Sequence, residues 1–359
     1  MIILDGYFDN SMKKIADKFL LKLKKGKLNV TYPNKNQKLF IGEKDGYEAN
    51  IQLNNYKLFS KLLRKGATGL AESYMDGDFD TTSLSNLLLF GFDNESDFLS
   101  SRNNNFILEY YIKLRHYLNQ NTITNSKKNI KHHYDLGNDF YKHWLDQTMT
   151  YSSAIFTEKN NDLYDAQIHK YDQIAKPMQL NENSNLLEIG CGWGGFSTHI
   201  AKKYKSKVKA ITISKAQFDF ASQHILNEGL NEKVSIEMRD YRDINTTYSN
   251  IASIEMFEAV GREYWSTFLE TIKKSLLPEG LASLQIITIK DDKAFEYQKK
   301  PDFIQQYIFP GGVLPSKKQL KNLSKDIGLS FIEIENFKNS YAKTLHMWNC
   351  KFQKAWPDI

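Results

Sequence analysis

The sequence predicts an α/β protein of two domains: a small α+β domain over residues 1–125 and a larger one over 126–359, built on a mostly parallel sheet with helices on both faces. Three observations carry this. Buried-strand runs alternate with helical stretches from residue 185 onward, the pattern of right-handed crossovers. A glycine-rich turn closes the first of those runs. Finally, the polar stretch NQNTITNSKKN (119–129) has turn formers and no aromatics, which marks a linker between two differently patterned halves.

In chain order, Met12, Ile15, Ala16, Phe19, Leu20 and Leu23 recur at helical spacing, and Lys13, Lys14, Lys18, Lys22, Lys24 and Lys25 fill the other faces. Such a helix lies on an anionic membrane surface or packs on its own domain. LNVTYP, KLFIG and YEANIQL (within 28–53) read as short strands, broken at Pro33, Asn34, Gly42 and Asp45-Gly46. Helices are expected near 55–65, 83–92 and 104–119. GATGLAESYMDGDFDTTS (66–83) reads as a capped turn. Its Asp76, Asp78 and Asp80 lack the glycine and distal glutamate of a calcium loop. Beyond the linker, NLLEIG (185–190), KVKAITIS (207–214), KVSIEM (233–238), NIASIEMF (250–257) and LASLQIITI (281–289) read as buried strands, with LSFIEIENF (329–337) as one more. Helical stretches fall near 195–204, 215–228 and 262–276.

Composition excludes several classes. Lys plus Arg is 48 against 42 acidic residues, a formal surplus of +6, too mild for nucleic-acid binding. Aromatics at 13% exclude a disordered chain. No apolar run approaches the roughly 20 residues of a membrane span. MIILDGYFDN has no apolar signal core, so a cytoplasmic product is expected. Cys191 and Cys350 are too few for a disulfide framework or a zinc site, and no metal is expected.

The sharpest local signal is Glu188-Ile-Gly190-Cys191-Gly192-Trp193-Gly194-Gly195, where a strand ends and a helix begins. Glycines let the backbone approach a ligand, and the helix start offers N–H donors. Nicotinamide, flavin and S-adenosylmethionine proteins share such loops. A dinucleotide site needs a carboxylate at the end of the second strand, and Ala210-Ile-Thr212-Ile213-Ser214 has none. Lys215 as a 2′-phosphate partner has no further support. E-x-G-x-G-x-G is instead the pattern of class I S-adenosylmethionine-dependent methyltransferases, which have a Rossmann-like fold. Cys191 reads as a small residue filling a tight turn rather than a nucleophile.

Further motifs extend the likeness. They are His133-Tyr134-Asp-Leu-Gly-Asn-Asp-Phe140, Met149-Thr-Tyr151-Ser152-Ser153-Ala154, LLEIGCGWGGFS (186–197) and Thr212-Ile213-Ser-Lys-Ala-Gln217. Asp240-Tyr241-Arg242-Asp243, Met256-Phe257-Glu258, Tyr307-Ile-Phe-Pro-Gly-Gly312, Leu314-Pro-Ser316, Tyr341-Ala-Lys-Thr-Leu345, the ending KAWPDI and Gly69–Asp78 belong with them. Together they resemble the cyclopropane fatty acid synthases and mycolic acid cyclopropane synthases over nearly the whole chain from residue 27. The resemblance implies transfer of the methyl of S-adenosylmethionine to a cis double bond of an unsaturated phospholipid acyl chain, followed by proton loss and ring closure. It further implies a lipid-capturing N-terminal domain, peripheral binding to the inner face of the membrane, and a homodimer. Such chemistry needs a dry, aromatic-rich site and one base.

Carried over residue by residue, the donor site would comprise Tyr151 and Ser152 at the methionine end, Glu188, Gly190, Cys191 and Gly192 along the donor, Thr212, Ile213 and Gln217 at the ribose and amino-acid portions, Tyr241 and Arg242 at the adenine, and Ile254 through its backbone. The family's base is a bound bicarbonate, and Glu258, Ile287 and Tyr341 fall at its contacts, which makes Glu258 essential. The chain departs from the pattern at Ser153 (usually cysteine), Gln285 (usually histidine), Ala259 (usually histidine) and Glu255 (often glycine). Serine keeps a backbone N–H and glutamine keeps a donor, but a titratable donor is lost. These changes bear on ring closure more than on methyl transfer. The alternatives are therefore a lipid C-methyltransferase giving a methylene- or methyl-branched chain or a furan precursor, and, more remotely, a non-catalytic lipid- and donor-binding protein.

Overall fold

The computed structural model describes residues 17, 20–21, 23–94, 137–333 and 335–359. The chain divides into two compact units, residues 1–114 with 300–303 and residues 115–299 with 304–359. The expected boundary at 125, the polar linker and the helix expected at 104–119 lie outside the described residues, as does most of the lysine-rich segment 12–25.

The first unit is a four-stranded sheet of β1 (Lys25–Thr31), β2 (Gln37–Ile41), β3 (Lys44–Leu53) and β4 (Phe79–Asp80), in the order β2-β1-β3-β4. Helices α1 (Lys57–Lys65), α2 (Ala67–Met75) and α3 (Leu84–Asp93) accompany it. β1 and β2 are antiparallel and β1 and β3 parallel. Alternate residues of β1 are buried, so one sheet face builds the core with Leu28, Val30, Phe40, Ile51, Leu53, Phe59, Phe79 and Phe90. Leu20 and Leu23 join that core, while Lys25 already begins β1. At Leu20 and Leu23 the lysine-rich segment therefore packs on its own unit, while Leu21 is exposed.

Residues 66–83 correct the expectation of a turn. The segment folds into α2 and β4, and the glycine that suggested a loop is a packing residue: a Cβ on Gly69 would lie 2.1 Å from the Lys61 carbonyl oxygen of α1. The aspartates serve as ion partners. Lys61 Nζ bridges Asp76 and Asp78, each at 2.5 Å.

The second unit begins, among the described residues, with α4 (Gly137–Lys142) and α5 (Leu163–Ala175). Its sheet comprises β5 (Asn185–Ile189), β6 (Lys207–Thr212), β7 (Val234–Met238), β8 (Tyr248–Ile254) and β9 (Leu276–Gln285). All neighbours are parallel, in the order β7-β6-β5-β8-β9. Between the strands run α6 (Gly195–Lys203), α7 (Lys215–Asn227) and α8 (Trp265–Ser275). α9 (Asp291–Lys299), α10 (Lys317–Ile327) and α11 (Lys338–Ala355) follow. Ser214 caps α7 by accepting a hydrogen bond from Gln217 N–H, and Ser316 and Gln319 form a capping box on α10.

Successive strands are added outward from β5 in opposite directions, β6 and β7 on one side and β8 and β9 on the other, which opens a crevice at the carboxyl ends of β5, β6 and β8. The strand expected at 329–337 is not one. None of its described residues lies in a strand, and Phe331 and Ile332 are exposed, so its apolar alternation has no sheet partner. Among the described residues, no helix is long and apolar enough to cross a membrane and no cluster of side chains suits a metal ion.

Candidate active site

The crevice is lined by every donor-site residue named from sequence: Tyr151, Ser152, Glu188, Gly190, Cys191, Gly192, Thr212, Ile213, Gln217, Tyr241, Arg242 and Ile254. β5 ends at Ile189, and the chain then turns through Gly190 at φ +82°. A Cβ there would meet Met256 Cγ at 2.8 Å, so glycine is required both by the backbone and by the close approach. The N–H groups of Gly190 and Cys191 donate to the Ile211 carbonyl, each at 3.0 Å, which fixes the loop against β6. Thr212 Oγ1 donates to Gln217 Oε1 at 2.9 Å, orienting the glutamine from the following helix. Arg242 is clamped by Asp240 through Nε at 2.8 Å and a terminal nitrogen at 2.6 Å, and its guanidinium lies 5.4 Å from the Tyr241 ring centre. Tyr151 sits in an aromatic cage of Tyr141, Trp144 and Trp348.

Burial sets the electrostatics. Glu188 is 2% exposed, and burial pushes its carboxyl up to about 7 despite a hydrogen bond from Ser197 Oγ and the nearby Lys170. Lys170 is wholly buried on α5 and donates to Ser152 Oγ at 2.8 Å. Burial draws its ammonium down to about 7, opposed by Glu255, Asp146 and Glu188. Burial also raises the Cys191 thiol well above its ordinary value. The residue is thus a neutral packing group rather than a nucleophile.

At the ends of β8 and β9, the residues expected to hold an anion come together. Ser153 N–H donates at 2.9 Å, and Gln285 Nε2 at 2.7 Å, to the same oxygen, Oε1 of Glu255. Gln285 Nε2 also reaches the Ser153 carbonyl at 3.2 Å, and Glu255 N–H donates to the Gln285 carbonyl at 2.9 Å. Glu258 Oε1 accepts the Ile287 N–H, while Oε2 has no hydrogen-bond partner among the described residues. Both carboxylates are enclosed by protein, and Glu255 also lines the cavity. Enclosure raises both, with Glu258 pushed to about 8, Glu255 adding repulsion and Ile287 N–H partly opposing. The Tyr341 hydroxyl is raised by burial and by the charges of Glu255 and Glu258, which places it within electrostatic reach of both.

Bicarbonate does not fit this donor set. Its expected donors, Ser153 N–H and Gln285 Nε2, already hold Glu255, and an added anion would face Glu258 as well. Sequence reasoning left out Lys170, a lone charge on the apolar face of its helix between Ala166 and Ile174. It quoted Met256 and Phe309 within motifs without assigning them to the site and left out Val260; all three line the cavity. Residues 133–136 of the shared His133–Phe140 motif lie outside the description.

Comparison with known proteins agrees with this geometry. The family described as mycolic acid cyclopropane synthetase matches residues 121–359. A probable fatty acid methyltransferase of Pseudomonas putida is 37% identical over 61% of this chain and 57% of its own length, so the chain spans little more than half of that relative. The cyclopropane-fatty-acyl-phospholipid synthase of Escherichia coli K12 is 35% identical over 87% of this chain and 78% of its own length. Among solved structures, mycolic acid cyclopropane synthase CmaA1, complexed with SAH and CTAB, superposes with a TM-score of 0.60 at 30% identity, covering 64% of this chain and 83% of that one. The parallel sheet is that of the class I S-adenosylmethionine-dependent methyltransferases. With two thirds of its length matched and the glycine loop and crevice in place, the chain belongs to the mycolic acid cyclopropane synthetase family of methyltransferase-type enzymes.

Proposed function

We propose that the protein transfers the methyl of S-adenosylmethionine to the cis double bond of an unsaturated acyl chain in a membrane phospholipid, forming a cyclopropane. The observation that carries this reading is Glu255, an enclosed carboxylate on the wall of the donor crevice, with the enclosed Glu258 near enough to repel it. The donor, when bound, supplies an electrophilic methyl on a positively charged sulfur. Glycine at 190 and 192 lets it approach the backbone, Gln217 and Arg242 offer polar ends, and the aromatic cage around Tyr151 excludes water. Cation character developing on the acyl chain meets negative charge from Glu255 and the ring faces of Tyr151 and Trp193. Glu258, neutral below about pH 8, keeps a second charge away from the first.

Membrane phospholipid is the substrate class favoured by the match over 87% of this chain to the Escherichia coli enzyme. The lysines of residues 13–25 support contact with an anionic surface, with affinity for anionic vesicles that falls as salt rises. Binding that is indifferent to salt, or unchanged by deleting that segment, removes the surface from this reading.

A second product class has its own support. Ser153, Glu255, Ala259 and Gln285 depart from the ring-forming pattern. The tuberculostearic acid methyltransferase UfaA1 of Mycobacterium tuberculosis is 31% identical over 83% of this chain. Here the proton is lost without ring closure, directly or after a hydride shift, giving an unsaturated methylene- or methyl-branched chain that only a separate hydride donor would saturate. Lipid from cells expressing the protein, hydrogenated and analysed by mass spectrometry and NMR, separates the two. A ring signal is expected, and uptake of hydrogen at the modified carbon transfers the assignment to branching.

A further inference from the structure

Glu255 is held as a working group is held. Its backbone takes φ +48°, a left-handed conformation that a glutamate rarely adopts, directly after β8. That turn sends its carboxylate onto donors from two other segments, Ser153 N–H at 2.9 Å and Gln285 Nε2 at 2.7 Å. Both bonds fall on Oε1, leaving the second oxygen for a proton. The Gln285 amide is itself fixed by the Ser153 carbonyl, so the base and its donors form one closed cluster. Glu255 also lines the donor cavity beside Gly190, Met256 and Ala259.

Two neighbours divide the charge. Lys170 favours the ionised form of Glu255, and Glu258, which lacks such a cation and leaves Oε2 unpartnered, takes the proton of the pair. We infer that Glu255 is the general base of the reaction, a carboxylate built into the chain on the donors that would otherwise hold a free anion.

The inference rests on the methyl transfer proposed above. In that reaction the donor's C–S bond breaks, and a C–C bond forms from the alkene's π pair, leaving a cation on the neighbouring carbon. A proton then passes from carbon to the free oxygen of Glu255. The C–H pair closes the ring or, in the branched product, forms a double bond. The carboxyl afterwards releases its proton to water. The identity of the base is therefore the same for either product.

The test uses the full-length protein, vesicles of dioleoyl phosphatidylglycerol, and methyl-labelled S-adenosylmethionine, in carbon-dioxide-free buffer and with added bicarbonate. The wild type is expected to turn over equally in both. Glu255→Gln should lose turnover by about 100-fold in both, while SAH affinity, measured by calorimetry, stays within a few-fold and reports an intact fold. Glu255→Gly, which relieves the left-handed strain and vacates the donors, should be equally slow without bicarbonate and recover about tenfold with it. A wild type that needs bicarbonate overturns this inference alone, as does a fully active Glu255→Gln. No methyl transfer by the wild type overturns the proposed function and this inference with it.

Discussion

Each unit buries a carboxylate, and the two are treated oppositely. Asp78 in the first unit is 3% exposed, and Glu188 in the second is 2% exposed. Burial alone would raise both. Asp78, however, has Lys61 at 2.5 Å and Asn55 Nδ2 at 2.9 Å, and its carboxyl ends below the ordinary range. Glu188 has only the hydroxyl and N–H of Ser197 and a cation that is itself drawn down to about 7, and burial raises it to about 7. Glu258, with one backbone N–H, rises further. Where partners outweigh desolvation, a carboxylate holds structure together. Where desolvation outweighs partners, the site is left poised for charge that develops only during reaction.

The strongest break in this comparison should come at Gly190. Gly190→Ala places a Cβ 2.8 Å from Met256 Cγ on a left-handed backbone, and SAH affinity measured by calorimetry should fall by about 100-fold. Affinity within threefold of wild type would separate the glycine from donor binding.

Next comes Asp78→Ala, which leaves Lys61 with only the more exposed Asp76. Stability of the first unit should drop by about 2 kcal/mol in urea unfolding, with the rate of methyl transfer per folded molecule unchanged. An equal loss of catalytic rate would assign Asp78 to the site. The stability supplied by Asp78 is present above its unfolded value and lost as pH falls through its lower folded value, so it marks an acid limit.

The opposite slope is expected in the second unit. Glu188 and Glu258 are raised, so the unfolded chain gives up protons first, and stability declines between about pH 4.5 and pH 8. The melting temperature of the second unit should fall by about 2–4 °C more in the wild type than in Glu258→Gln over that range. Parallel melting curves would remove the raised value.

Glu258→Gln also revises what the resemblance implied. An amide can accept from Ile287 N–H and mimic the neutral acid, so turnover at pH 7 should fall less than tenfold, with the alkaline decline above pH 8 moved or abolished. Complete loss at every pH would return the essential charge to Glu258.

Much of this was legible in the residues. The five parallel strands show as apolar runs, and the glycine loop shows as a spacing. Most of the donor residues group around the ends of β5, β6, β7 and β8 because the segments at those strand ends carry the quoted motifs, and Tyr151 and Ser152 join them from the segment before α5. Other features misled for physical reasons. Gly66 and Gly69 punctuate like a loop, yet Gly69 lies inside a helix because another helix's carbonyl presses on it. LSFIEIENF alternates like a strand but has no ladder to join. Lys170 interrupts the apolar face of α5 between Ala166 and Ile174, and only its enclosure makes it a counter-charge for the site.

The sequence by itself determined the sheet, the turn required at Gly190 and the family, because each is written in residues close together along the chain. Only the tertiary structure decided what Glu255 does. Its two hydrogen-bond donors lie 102 residues before it and 30 after it, and its proton balance is set by Lys170 of α5 and by the neighbouring Glu258. Charge and desolvation act through space, so a carboxylate that looks like one more acidic residue in the sequence becomes the group best placed to take a proton.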